Sequence, residues 1–149
     1  MFKKITIALL AIFVLSGCSS SKKGSMSGGS DSSLMADFEK NVGDRVFFAY
    51  NKSDLTATAK SQLQKQVTWL DSHKSVKATV EGHCDERGTR EYNLALGERR
   101  AEAVRKFLQN SGVEASRLDT ISYGKERPAV IGNDEKAWSQ NRRSVTSVR

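Results

Sequence analysis

Residues 76–89 carry the sequence VKATVEGHCDERGT, in which an alternating segment is followed by a polar loop. Val76, Ala78 and Val80 alternate with polar residues, which predicts a β-strand with one face in the core. The loop leads into the N-terminus of a predicted helix, where free backbone N–H groups and the helix dipole favour an anion. The segment therefore predicts a strand, an anion-binding loop and a helix in succession.

The flanking segments continue the alternation of strands and helices. Residues 46–50 alternate as a strand does, and residues 91–109 predict a helix that ends near Gly112. Shorter strands are predicted at about 120–123 and 144–148. Between the first two strands, helical spacing links Ala59, Leu63, Val67 and Leu70, with Thr56 as the predicted N-cap. The order βαβαββ predicts an α/β (α+β) two-layer sandwich with a mixed four-stranded sheet and two main helices.

The N-terminus has the features of a lipoprotein signal peptide over residues 1–17. Lys3 and Lys4 precede an apolar run of 11 residues, whereas a membrane-spanning helix needs about 20. The run ends in LSGC, which resembles the lipobox of bacterial lipoproteins and makes Cys18 the predicted lipidation site. A conventional secretory signal with an incidental Cys is the alternative.

Lipidation would decide where the protein resides. Two or three acyl chains hold a protein on a membrane where one does so only marginally. Ser19 follows the Cys in place of the Asp used for inner-membrane retention, so we expect the outer membrane, with the protein facing the periplasm. The Ser/Gly-rich residues 18–35 predict a flexible tether, or a passive spacer, before a folded domain at 36–149.

Composition and charge narrow the function classes. The 149 residues are 38% apolar and 28% charged, which suits one globular domain. A net charge of +7 favours an anionic neighbour such as nucleic acid, acidic lipid or an anionic polymer. An exported chain does not meet chromosomal DNA, and the sequence has no basic stripe interleaved with aromatic residues, so we exclude nucleic acid.

One arginine of the second predicted helix departs from the apolar pattern. Arg100 lies inside the stripe formed by Leu96, Ala103, Val104 and Phe107. Because an unpaired internal charge costs several kcal/mol, Arg100 needs an anion nearby. Asp85, in the loop before the helix, is the candidate. Together they would suit a zwitterionic ligand, with an ammonium beside a carboxylate; an internal salt bridge between the two is the alternative.

Catalysis and metal binding are not predicted. His83, Cys84 and Asp85 are adjacent, which is not a spacing of the usual zinc motifs, and no G-x-S-x-G segment is present. We expect no enzyme activity, no metal and no cofactor. With Cys18 lipidated, Cys84 has no internal disulfide partner, so it is either a small buried residue or an exposed thiol.

Four ordered motifs carry a resemblance to a known family. They are EGHCDERGT at 81–89, LGERRA at 96–101, YGKERPAV at 123–130 and NRR at 141–143. Together they resemble the OmpA-like peptidoglycan-binding domain family, and within it the lipoproteins of the Tol-Pal system, over residues 45–149. The resemblance implies that the predicted βαβαββ sandwich has the OmpA-like fold.

The resemblance also implies a ligand, the peptide stem of peptidoglycan, bound noncovalently at meso-diaminopimelate. The free end of that residue carries an ammonium and a carboxylate. In the family, the acid of the loop motif holds the ammonium and the second arginine of the helix motif holds the carboxylate, and these positions are Asp85 and Arg100 here. Further residues near the ligand by the same resemblance are Phe48, Ala49, Tyr50, Asn141 and Arg143.

The loop after the first strand departs from the family pattern. Relatives often have FDYD or FGFD where this chain has FAYN at 48–51, so two carboxylates are absent and we expect backbone contacts instead.

The implied function is to tether the outer membrane to the cell wall within the Tol-Pal system. The implied partners are peptidoglycan, the outer membrane through the lipid, TolB, and as further candidates TolA and OmpA-like proteins. A wall-binding lipoprotein outside the Tol system is one alternative, and a hydrolase acting on peptidoglycan is another.

Overall fold

A computed structural model describes residues 28–149, with side chains from residue 31 onward. The predicted signal peptide, Cys18 and the first part of the predicted tether lie outside the described residues. The helices are α1 (Gly28–Asp37), α2 (Ala57–Ser72), α3 (Arg90–Asn110) and α4 (Glu135–Asn141), with a π-helical turn at Phe38–Val42 and a 3₁₀ turn at Ala115–Arg117. The strands are β1 (Arg45–Phe47), β2 (Ala78–His83), β3 (Leu118–Gly124) and β4 (Arg143–Val148).

The four strands form one mixed sheet in the order β1-β4-β2-β3. Strand β4 pairs antiparallel with both β1 and β2, whereas β2 and β3 are parallel. Helix α3 packs on β2 and β3, and α2 packs beside β1. The predicted sandwich with a mixed four-stranded sheet and two main helices is therefore confirmed.

Local sequence explains where the two main helices begin. The hydroxyl of Thr56 accepts from the backbone N–H of Ala59 (3.1 Å), so the predicted N-cap of α2 is confirmed. Thr89 caps α3 in the same way, through the N–H of Tyr92 (3.2 Å). The apolar faces of both helices contribute to one core with the sheet; among its fully buried members are Leu63, Leu70, Val80, Val104 and Leu108.

Two helices were not predicted. Helix α1 includes residues 28–35, the last part of the predicted tether, because its Leu34 packs against the core and Asp37 accepts from Trp69 Nε1 (2.7 Å). These tertiary contacts outweigh a Ser/Gly-rich composition. Helix α4 has only seven residues, too few for apolar periodicity to be visible; Asp134 caps it and Ala137 is buried.

The sheet and α3 approach each other most closely at two glycines. A Cβ at Gly82 would lie 1.8 Å from the carbonyl oxygen of Gly97, and a Cβ at Gly97 would lie 2.2 Å from Ser122 Oγ. The first clash cannot be relieved by rotating a side chain, because its partner is the backbone of α3. This contact fixes α3 relative to the end of β2, from which the polar loop at residues 84–89 departs.

We therefore expect Gly82→Ala to lower the free energy of unfolding by about 3 kcal/mol or more, because the helix backbone must move away from the strand. Chemical denaturation measures this. Gly112→Ala is the control: Gly112 has a φ of +108° but open space around it, so only backbone strain of about 1 kcal/mol is added. A cost for Gly82→Ala no larger than that of the control would contradict the close-contact explanation.

Candidate functional site

The candidate site is a small pocket where the loop after β2 meets the loop after β1. It has a volume of about 50 Å³. The lining residues come from both loops and from the first turns of α3: Tyr50, Asn51, Cys84, Asp85, Arg87, Gly88, Tyr92, Asn93, Leu96 and Arg100. The structure thus brings the two principal predicted site residues, Asp85 and Arg100, to one pocket.

Asp85 is a buried carboxylate with cationic partners. Its side chain is 5% exposed, and Arg87 donates to it from Nε (3.1 Å), Nη2 (2.7 Å) and the backbone N–H (3.1 Å). Arg142 Nη1 lies 3.6 Å from Oδ2. Burial opposes ionisation, but the hydrogen bonds from Arg87 and the charges of both arginines outweigh it, so the pKa of Asp85 lies below its usual value. Asp85 is therefore an anion at neutral pH.

Arg100 is fully buried, as its position in the apolar stripe predicted. Its partners, however, are not carboxylates: Nε, Nη1 and Nη2 donate to the carbonyls of Lys52 (2.9 Å), His83 (2.8 Å) and Ala49 (3.2 Å). The expectation that burial requires an anion partner was wrong, because three carbonyl dipoles replace the solvation of the charge. Burial lowers the pKa of Arg100, while the charge of nearby Asp85 acts in the opposite direction.

The internal salt bridge considered from the sequence is not formed. Asp85 pairs with Arg87 and Arg142, whereas Arg100 binds carbonyls. A guanidinium has five N–H donors, so three acceptors leave part of its donor capacity unused. The pocket therefore contains a carboxylate and a guanidinium that do not neutralise each other by contact.

The loop after β1 supports Arg100 mainly through its backbone. Ala49 and Lys52 supply two of the carbonyls, and the buried ring of Phe48 lies 5.2 Å from the guanidinium carbon. Tyr50 lines the pocket and is 59% exposed. Asn51 has a φ of +57°, a conformation that Asn tolerates, and its side-chain oxygen accepts from the hydroxyl of Tyr92.

Asn141 and Arg143 do not line this pocket. The Asn141 side chain binds the backbone N–H groups of Ala129 (2.7 Å) and Val130 (3.0 Å) and the carbonyl of Val130 (2.7 Å), so it fixes the loop between β3 and α4. Arg143 is buried and donates to the carbonyls of Asn141 (3.4 Å) and Arg127 (3.2 Å). Both residues hold backbone near the site.

Sequence reasoning missed the residues that surround Asp85. Arg87 lies between the rings of Tyr50 and Trp138, with its guanidinium carbon 3.9 Å from each ring centroid. Arg142 also contacts Asp85 and donates to Glu135 (2.5 Å). Tyr50 and Trp138 are far apart in sequence, so no local pattern links them; only the NRR motif pointed to the neighbourhood of Arg142.

Cys84 is a buried thiol at the start of the loop after β2. Its Sγ donates to the carbonyl of Asn93 (3.3 Å), and burial raises the pKa of the thiol. The interpretation of Cys84 as a small buried residue is thus confirmed.

Within residues 28–149 there is no cluster of three or more His, Cys, Asp or Glu side chains suited to a metal ion. No helix in that range has the length and apolar character to cross a membrane.

His83 makes stability depend on pH. Burial, followed by the charges of Arg143 and Arg127, lowers its pKa from 6.5 to about 4, and its Nε2 lies 3.1 Å from Glu81. The unfolded chain binds the proton first, so stability is present above pH 6.5 and is lost as the pH falls towards 4. Burial raises the pKa of Glu81, which acts in the opposite direction near the lower end of this window.

We expect the wild type to lose about 2–3 kcal/mol of unfolding free energy through His83 between pH 7.5 and 4, and His83→Gln to remove most of that loss. Denaturation curves at several pH values on both proteins measure the difference. The same pH dependence in both proteins would show that His83 is not the group responsible.

Comparison with known proteins places the chain in a family. The model of the OmpA family matches residues 47–142. The chain is 47% identical to the peptidoglycan-associated lipoprotein of Mesorhizobium japonicum, covering 97% of this chain and 90% of that protein. It is 49% identical to the protein of the same name from Agrobacterium fabrum, covering 94% and 84%.

A solved structure agrees with these matches. The crystal structure of the peptidoglycan-associated lipoprotein from Burkholderia pseudomallei has a TM-score of 0.69 and 40% identity, covering 71% of this chain and 90% of that one. The names of these relatives describe a lipoprotein and not an enzyme, in agreement with the prediction from the sequence. By family match, by identity over nearly the whole chain and by fold, this protein belongs to the OmpA family.

Proposed function

We propose that this protein is an outer-membrane lipoprotein that binds peptidoglycan noncovalently through the diaminopimelate of the stem peptide. The observation that carries the proposal is the pocket that Asp85 and Arg100 share without pairing with each other. The names of the relatives, which are peptidoglycan-associated lipoproteins, support peptidoglycan as the polymer that it binds.

The chemistry of the pocket matches the free end of diaminopimelate. Asp85 is ionised and accepts hydrogen bonds from cations, so it suits the ammonium group. Arg100 has donor capacity beyond its three carbonyl bonds and suits the carboxylate. A stem with lysine in the same position has the ammonium but lacks that carboxylate, so the pair of groups favours diaminopimelate.

The supporting residues would orient this pair. Ala49 holds Arg100 through its carbonyl, Phe48 packs beside the guanidinium, and Tyr50 forms an exposed wall. Asn141 and Arg143 would act at a distance, by fixing the backbone of residues that border the site. The missing carboxylates at positions 49 and 51 leave side-chain recognition to Asp85 and Arg100.

The proposal includes a place in the cell and partners. Lipidation at Cys18 would hold the chain on the inner leaflet of the outer membrane, facing the periplasm. TolB is the proposed protein partner, with TolA and OmpA-like proteins as further candidates. Co-purification from cells tests this part: failure to recover TolB would favour a wall-binding lipoprotein outside the Tol system.

Sedimentation with isolated cell-wall sacculi tests the ligand. The full-length protein in detergent should pellet with sacculi that contain diaminopimelate, and soluble stem peptides released from them should return it to the supernatant. Protein that stays in the supernatant, or that pellets equally in the presence of excess stem peptide, would contradict the proposal.

A further inference from the structure

The guanidinium of Arg87 occupies the position that the proposed ligand's ammonium group would need. It donates to both carboxylate oxygens of Asp85, from Nε at 3.1 Å and from Nη2 at 2.7 Å. We propose that ligand binding is an exchange of cations at Asp85, in which the ligand's ammonium displaces Arg87. This inference rests on the proposed function and makes Arg87 a specificity-determining residue of the site.

The surroundings of Arg87 resemble a binding site for a cation. Its guanidinium stacks between Tyr50 and Trp138, and Trp138 Nε1 donates to Glu86 Oε1 (3.1 Å), which fixes the ring. The planar guanidinium of arginine stacks on aromatic rings and can donate two parallel hydrogen bonds to one carboxylate. An ammonium group is not planar and lacks that paired geometry. A competing ligand therefore has to supply further contacts, and Arg100 provides the one that a zwitterion can use.

The size of the pocket supports displacement. A volume of about 50 Å³ is well below the roughly 300–1,000 Å³ of ordinary ligand pockets, so a bound group needs space that a side chain now occupies. Arg87 is the lining residue that bonds Asp85 directly, and its side chain is 28% exposed, so it has solvent to move into. Asp85, at 5%, has none.

Arg142 allows the exchange to proceed without leaving a buried charge unpaired. Its Nη1 lies 3.6 Å from Asp85 Oδ2 and has no hydrogen-bond partner. When Arg87 leaves, Arg142 continues to balance the carboxylate. An uncompensated buried charge would otherwise cost several kcal/mol and slow the exchange.

The test compares the affinity of Arg87→Ala and wild type for a tripeptide stem that ends in meso-diaminopimelate, by calorimetry on the full-length protein in detergent. Removal of the Arg87 guanidinium, the internal competitor for Asp85, should tighten binding by about 5- to 30-fold. This is the free-energy contribution expected of one charge-assisted hydrogen-bonded pair. Arg87→Gln, which keeps a polar but shorter side chain without the charge, should bind more tightly as well, and thermal melting checks that both variants fold.

Arg90→Ala is the matched control, because it removes one positive charge three residues away. Arg90 pairs with Glu126 (3.3 Å), outside the pocket, so its loss should leave affinity within about twofold of wild type. Unchanged or weaker binding by both Arg87 variants, with wild type binding the stem, would overturn the exchange and leave the proposed function standing. Absence of binding by wild type and both variants would overturn the proposed function and the exchange with it.

Discussion

Asp85→Asn should weaken binding of a diaminopimelate-containing stem peptide by about 30- to 1,000-fold, or about 2–4 kcal/mol. The reason is that the ammonium group would leave water for a buried position where an uncharged amide now replaces its counterion. Asn is close to Asp in size, so the loop should keep its shape. Arg87 would lose its partner but remain stacked between its two aromatic neighbours.

A second carboxylate provides the control for this prediction. Asp119 on β3 is exposed and pairs with Arg149 (2.7 Å), away from the pocket. Asp119→Asn removes the same charge from the chain and should bind the stem as wild type does. If Asp85→Asn binds within about threefold of the control, Asp85 is not the ammonium-binding group.

Arg100→Met should lower the free energy of unfolding and should abolish stem binding in the protein that remains folded. Methionine fills a similar volume but removes the bonds to the carbonyls of Ala49, Lys52 and His83. The carbonyl of Ala49 keeps a bond from the backbone N–H of Lys52 (3.2 Å), so the carbonyls of Lys52 and His83 lose most. A lost bond from a charged donor costs about 1–3 kcal/mol, and we therefore expect a loss of about 2–4 kcal/mol. Chemical denaturation measures it.

Arg117 allows the two roles of Arg100 to be separated. It is also buried and binds three carbonyls, of Val76 (2.8 Å), Leu70 (3.0 Å) and His73 (2.9 Å), but it lies in the 3₁₀ turn before β3 and not in the pocket. Arg117→Met should destabilise the protein comparably, and its folded fraction should bind the stem normally. Equal stem binding by the folded fractions of both variants would remove Arg100 from the site.

The fold was predictable because its main elements have clear local signals. Alternating polar and apolar residues predict strand β2, and an apolar stripe predicts helix α3. Thr56 marks the start of α2 as its N-cap. The position of Arg100 inside the apolar stripe of its helix also predicted a buried charge. The partners of Arg100 were not predictable, because every residue has a backbone carbonyl. Only the fold shows which carbonyls lie within reach of the guanidinium.

The electrostatics of the candidate site were not predictable for a similar reason. The partners of Asp85 depend on where the loop places Arg87, and on α4, whose Trp138 forms one side of the stack. Helix α4 is too short to show a period. The role of Asn141 as a backbone anchor likewise depends on the path of residues 129 and 130.

The central claim is that the pocket recognises a group bearing both charges, and calorimetry with two tripeptide stems tests it most directly. The stems differ only in their third residue, meso-diaminopimelate in one and lysine in the other, so the lysine stem lacks the carboxylate that Arg100 would bind. We predict that the wild-type protein binds the diaminopimelate stem at least about tenfold more tightly, the weight of one charge-assisted contact. Equal affinity for the two stems, or binding of neither, would contradict the account.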